Sequence, residues 1–131
     1  MLSPITQKQF ERLKQRYPDA VLTALPSGAG LVTIPAVSLP EGWSRATSSV
    51  RFVVPIGYPG PAPDCFWADQ ELRLANGQQP QASQVNQIPE ANQQALWFSW
   101  HVVEAAKNWN PNRDDLLTFV GIIMDRFRRP Q

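Results

Sequence analysis

Apolar residues recur at helical spacing near the start of the chain, where Phe10, Leu13 and Tyr17 make one stripe. Ser3 can cap this helix, and Pro4 suits its first position, where a missing N–H costs nothing. Thr6 and Gln9 offer a second capping register. Pro18 ends the helix, because the residue before a proline avoids the helical region. The period then changes. Ala20–Leu25 and Leu31–Val37 read as strands joined by the turn Pro26–Gly30, and Val50–Ile56, rich in β-branched residues, reads as a third. The run Cys65–Asp69 supplies a short fourth. A helix followed by sequential strands with short links predicts an antiparallel meander of about four strands.

The second half is less regular. Ala75–Gln94 is rich in Gln and Asn and has no apolar period, which predicts a long irregular surface excursion. Ala95–Trp109 fits either a short helix or a buried extended segment. Asp114 or Asp115 opens a C-terminal helix whose buried face is Leu116, Phe119, Val120, Ile123 and Phe127. The expected fold class is α+β, a single domain over residues 1–131 with a helix at each end of the meander.

Composition narrows the function. The chain has 131 residues, of which 43% are hydrophobic, enough for one real core. A net charge of +1 gives no electrostatic reason to expect nucleic acid or an anionic membrane as partner. Arg126, Arg128 and Arg129 read as cations placed at a helix C-terminus. No long apolar run suggests a membrane span. One cysteine makes no internal disulfide, and with no secretory signal this points to the reducing cytoplasm. One His and one Cys are too few for an ordinary structural zinc site, so no metal is expected. The turn Pro26–Gly30 lacks the lysine and spacing of a phosphate loop, so no nucleotide cofactor is expected either.

Candidate chemistry concentrates in a few residues. Cys65 follows a proline-rich loop, "GYPGPAPD" (Gly57–Asp64), and precedes Phe66 and Trp67. It reads either as a nucleophile held by a stiff loop or as a small core residue, and Asp64 beside it would not help a thiolate form. His101 stands between Trp100 and Val102 on an apolar segment, either as a half-buried structural histidine or as a general base. A Cys65–His101 pair assembled by the fold is a third arrangement. Trp97, Trp100 and Trp109 cluster late in the chain, as core or as a partner surface.

The order of parts resembles ubiquitin-conjugating-enzyme-like domains. "GYPGPAPD" and "WNPNRDDLLTFVGII" (Trp109–Ile123) look like that family's tyrosine–proline loop and its tryptophan–proline start to a helix. "LPEGW" (Leu39–Trp43) and "PDCFW" (Pro63–Trp67) look more like the bacterial branch lettered E among prokaryotic conjugating-enzyme-like domains. That branch tends to be encoded beside ubiquitin-like proteins, an activating enzyme and a metal-dependent deconjugating protease. The resemblance implies a ubiquitin-like protein and an activating enzyme as partners, and operons of this kind suggest phage defence.

The resemblance also shows a departure. The family's cysteine lies about eight residues before the tryptophan, a thiol that carries the ubiquitin-like C-terminus as a thioester. Counting back from Trp109 reaches His101, and no cysteine follows position 65. The family's His-Pro-Asn is absent. Asn76 falls near the expected asparagine, although Asn-Gly is above all a turn signal. Tyr58 and Pro59 would form a flat platform near the active site and, with Trp100 and Trp109, a surface for partners. Two modes stay open: transfer through Cys65, or non-catalytic binding of the ubiquitin-like protein or activating enzyme. A structural adaptor unrelated to protein modification is the remaining alternative.

Overall fold

The computed structural model describes residues 2–99 and 109–131. Helix α1 (Pro4–Arg16) starts where expected. The Ser3 hydroxyl oxygen accepts the Thr6 N–H, Pro4 fills the first turn, and the helix closes at Tyr17. The strands are β1 (Val21–Ala24), β2 (Gly30–Ser38), β3 (Thr47–Val54), β4 (Phe66–Ala68), β5 (Ser83–Ile88) and β6 (Gln93–Phe98), and the final helix is α2 (Leu116–Phe127). The class is α+β, and the six strands form one antiparallel sheet in the order β1-β2-β3-β4-β6-β5.

Two expectations need correcting. The sheet has six strands rather than about four. The stretch Ala75–Gln94 is not an irregular excursion throughout, because Ser83–Ile88 is a regular strand and β6 begins at Gln93. The physical reason lies in burial. Only Ile88 of β5 is buried, so its other side chains have no need to be apolar and leave no alternating pattern. Backbone pairing with β6, through a turn in which Glu90 and Asn92 take left-handed φ values of 59° and 48°, makes it a strand. The ambiguous run after it is extended as far as Phe98.

Side chains alternate between the two faces of a sheet. On one face Ile34, Val50, Ala68 and Leu96 stand opposite one another in successive strands. They join Phe10 and Leu13 of α1 and Leu116, Phe119, Ile123 and Phe127 of α2 in the main core. Both helices therefore cover this face, and α1 also touches α2. On the other face, Thr33, Arg51, Trp67 and Trp97 stand opposite one another in the same way. A second, smaller apolar cluster forms there from Leu25, Ala29, Leu31, Trp67, Ile88 and Ala95.

Arg126 stands in the last turn of α2, as expected of a cation at a helix C-terminus. Arg126 is buried, with its guanidinium 5.7 Å from the Trp43 ring and 5.2 Å from that of Phe98. It donates to the carbonyls of Gln81, Arg129 and Gln131. Burial lowers its pKa from the ordinary value. Nearby, a Cβ on Gly42, whose φ is 106°, would come within 2.5 Å of Pro130. Only glycine fits that approach without strain.

Candidate partner-binding site

The proline loop after β3 is fixed by its own turns, with Tyr58 N–H donating to Pro55 O and Gly60 N–H to Gly57 O. Prolines hold such a loop stiff and remove donors that would otherwise need partners. The Tyr58–Pro59 peptide is cis. Tyr58 is buried, and its hydroxyl donates to the Gln9 side chain on α1. Burial first, and then the carboxylates of Asp115 and Asp114, push its phenol well above the ordinary range.

Trp109 is half-buried against this loop. Its indole N–H donates to the Pro59 carbonyl at 3.0 Å, and its ring lies 6.0 Å from that of Tyr58. The turn that follows is tied by the Asp114 carboxylate, which accepts the Asn110 N–H at 2.8 Å. The Arg113 hydrogen bond and that N–H hold the Asp114 carboxyl below its ordinary pKa. Asp115 then caps α2. Its carboxylate accepts the Thr118 N–H at 2.9 Å, while the Thr118 hydroxyl accepts the Asp115 N–H at 3.1 Å. The other Asp115 oxygen meets Arg12 of α1 at 3.1 Å. Gln9 and Arg12, one helical turn apart, thus each hold one of the two motifs.

Beside the loop, a cavity of about 180 Å³ opens between the start of α1, Gly28 and the stretch Val54–Tyr58. Ile56, on its rim, is 65% exposed, and Ile5 of α1 is 50% exposed. Sequence reasoning missed both. The signal for Ile56 was an apolar residue placed beyond Pro55, where β3 has already ended.

Cys65 lies elsewhere, on the sheet face opposite the helices, partly buried against the smaller cluster with Val53 and Trp97. Burial raises its thiol pKa, a hydrogen bond from the Trp97 side chain opposes this, and Asp64 adds to the rise. The balance keeps the thiol protonated at neutral pH, the opposite of what activates a nucleophilic cysteine. Asn76 occupies a turn, where its side chain accepts the Gln78 N–H at 2.9 Å and Gly77 has a φ of 88°. That turn is tied to Gly42 and Trp43, ahead of β3, whereas Cys65 lies beside the far end of β3. The fold does not bring Asn76 and Cys65 together. His101 and Trp100 lie outside the described residues. Trp97 and Trp109 do not cluster, since they pack on opposite faces of the sheet. Among the described residues no group of three or more His, Cys, Asp or Glu is placed to hold a metal ion. Among them, too, no helix is long and apolar enough to cross a membrane.

Comparison with known proteins gives one result. The family model described as prokaryotic E2 family E matches residues 12–129. No curated protein and no solved structure matches the chain.

Proposed function

The chain belongs to prokaryotic E2 family E, and from that premise we propose that it is the ubiquitin-conjugating-enzyme-like component of a bacterial ubiquitin-like modification pathway. In this reading it acts in the cytoplasm with a ubiquitin-like protein and its activating enzyme. The observation that carries the reading is the fastening of the tyrosine–proline loop onto the tryptophan–proline segment through Trp109 and Pro59. These are the two motifs on which the resemblance rests, and the fold joins them into one platform. Pro59, Trp109 and the exposed Ile56 on the cavity rim offer a partner the apolar surface that binding hot spots use.

Two modes of action differ at Cys65. Transfer through a thioester needs an accessible thiolate. The partly buried thiol, with its pKa raised by burial, favours the non-catalytic mode, in which the domain binds and presents its partners. His101 as a general base and Asn76 as an oxyanion donor belong to the catalytic mode.

The test mixes the protein with a ubiquitin-like protein and an activating enzyme from the same bacterium, with ATP, and reads binding and intact mass. The expected result is a complex with no reductant-sensitive adduct on this chain, unchanged in Cys65→Ala. A thioester-sized adduct lost in Cys65→Ala establishes transfer through Cys65. No binding to either partner removes both modes and leaves the unrelated adaptor.

A further inference from the structure

The smaller apolar cluster needs a cover, because both helices lie on the other side of the sheet. The β5–β6 hairpin supplies it. In the register, β6 pairs with β4 over Leu96–Phe98, while Gln93–Ala95 pair with β5. The tip half of the hairpin therefore runs beyond the end of β4. Its residues Ile88 and Ala95, with Ala91 packed beside them, share one cluster with Trp67 and with Leu25, Ala29 and Leu31 of the β1–β2 hairpin. Those hairpins stand at opposite edges of the sheet. Their turns also point to opposite ends of it, since Leu31 pairs with Val53 whereas Ala68, opposite Val50, pairs with Leu96. Contact between them requires the tip of β5–β6 to cross the face diagonally.

At the end of that path the two turns meet. The Glu90 carboxylate accepts the Ser27 N–H at 2.9 Å and the Ser27 hydroxyl at 2.7 Å. Both residues are exposed, and Glu90 holds a left-handed φ of 59°, which costs a non-glycine residue free energy. Beneath the hairpin, Trp67 is only 4% exposed, and its indole N–H has no hydrogen-bond partner among the described residues. A buried donor left unpaired destabilises the closed arrangement relative to one that lets water reach it. Cys65 and Trp97 sit at the margin of the same cluster.

We infer that the tip half of the β5–β6 hairpin is a flap over the sheet face opposite the helices, latched by Ser27 and Glu90, and that its opening controls access to Cys65 and Trp67. The closed state combines a modest apolar contact, an exposed carboxylate clamp and an unpaired buried N–H. Such a segment opens at lower free energy than the core. Opening needs no change in the helices, because the main core lies on the other face.

The test is alkylation of native Cys65 by iodoacetamide, with hydrogen exchange of residues 83–98 read in parallel, in the wild type, Ser27→Ala and Glu90→Asn. Asparagine suits the left-handed backbone at position 90 while removing the carboxylate, so the turn itself is preserved. When closing is fast, the rate follows the open population. Both variants should alkylate about tenfold faster, the scale expected from losing hydrogen bonds to a charged acceptor. Exchange should rise in residues 83–98 and stay unchanged in α1 and α2. Wild-type alkylation in both variants overturns the latch. Faster exchange through α1 and α2 as well overturns it too, because opening would then be global unfolding.

Discussion

The indole N–H of Trp109 and the carbonyl of Pro59 join across 50 residues of chain at 3.0 Å. That single bond makes one surface out of two motifs. Trp109→Phe keeps a ring against Tyr58 but leaves the carbonyl without its donor. It should destabilise the fold by about 1 kcal/mol in denaturant titration. An unchanged midpoint means the two segments are held by ring packing alone.

Tyr58 and Gln9 form the second tie to that surface. Tyr58→Phe removes the hydroxyl and should cost about 1 kcal/mol, and combining it with Gln9→Ala should add little. Full additivity in the double variant contradicts a shared hydrogen bond.

Alkaline pH should weaken the fold for two reasons with the same sign. Burial raises the pKa of both the Cys65 thiol and the Tyr58 phenol. A raised folded-state pKa favours the protonated form, so this stability is present below the unfolded value and lost as pH rises through the folded one. Stability should fall from about pH 8.5 for Cys65 and from about pH 10 for Tyr58. Cys65→Ala should flatten the first decline and Tyr58→Phe the second. The alkylation midpoint of Cys65 should lie above the free-thiol value of about 8.5. A midpoint below it would restore the nucleophile.

The acid limb has the opposite sign. Arg113 and the Asn110 N–H lower the Asp114 pKa, so its contribution is present above about pH 4 and lost as pH falls through the depressed folded value. Asp114→Asn should cost about 1 kcal/mol at pH 7, and the cost should shrink as pH falls below about 4. An equal cost throughout would assign the effect to shape rather than charge.

Arg126 ties three carbonyls from beneath two aromatic rings. Arg126→Met fills the space yet removes the donor to those carbonyls, of which Gln131 still accepts the Gln81 N–H, and should cost about 3 kcal/mol. Arg126→Lys should recover only part of that, because an ammonium cannot reproduce the planar fork. Full rescue by lysine would reduce the role to charge.

Legibility in the sequence followed burial. Both helices were readable, because Ser3 and Asp115 announce their caps and one face of each is apolar. Strand β4 was readable in Phe66–Ala68, all buried. Strand β5 was not, since a strand exposed on nearly every side chain carries no pattern and is defined by its neighbour's backbone. Arg126 was readable as a cation at a helix C-terminus, but sequence spacing cannot show that it is buried against Trp43 and Phe98. Tyr58, Pro59 and Trp109 were singled out by motif, while their union, and the part played by Gln9 and Arg12, needed the fold. The face of the sheet on which Cys65 lies needed the fold as well.

Arg12 and Asp115 meet although 103 positions separate them in the chain. A ribosome adding roughly 5–20 residues per second takes on the order of 5–20 s to cover that span. For that interval the newborn α1 carries Phe10 and Leu13 with no α2 to receive them. Completion of the last helix, rather than emergence of the first, sets the moment at which the α1 stripe is fully covered.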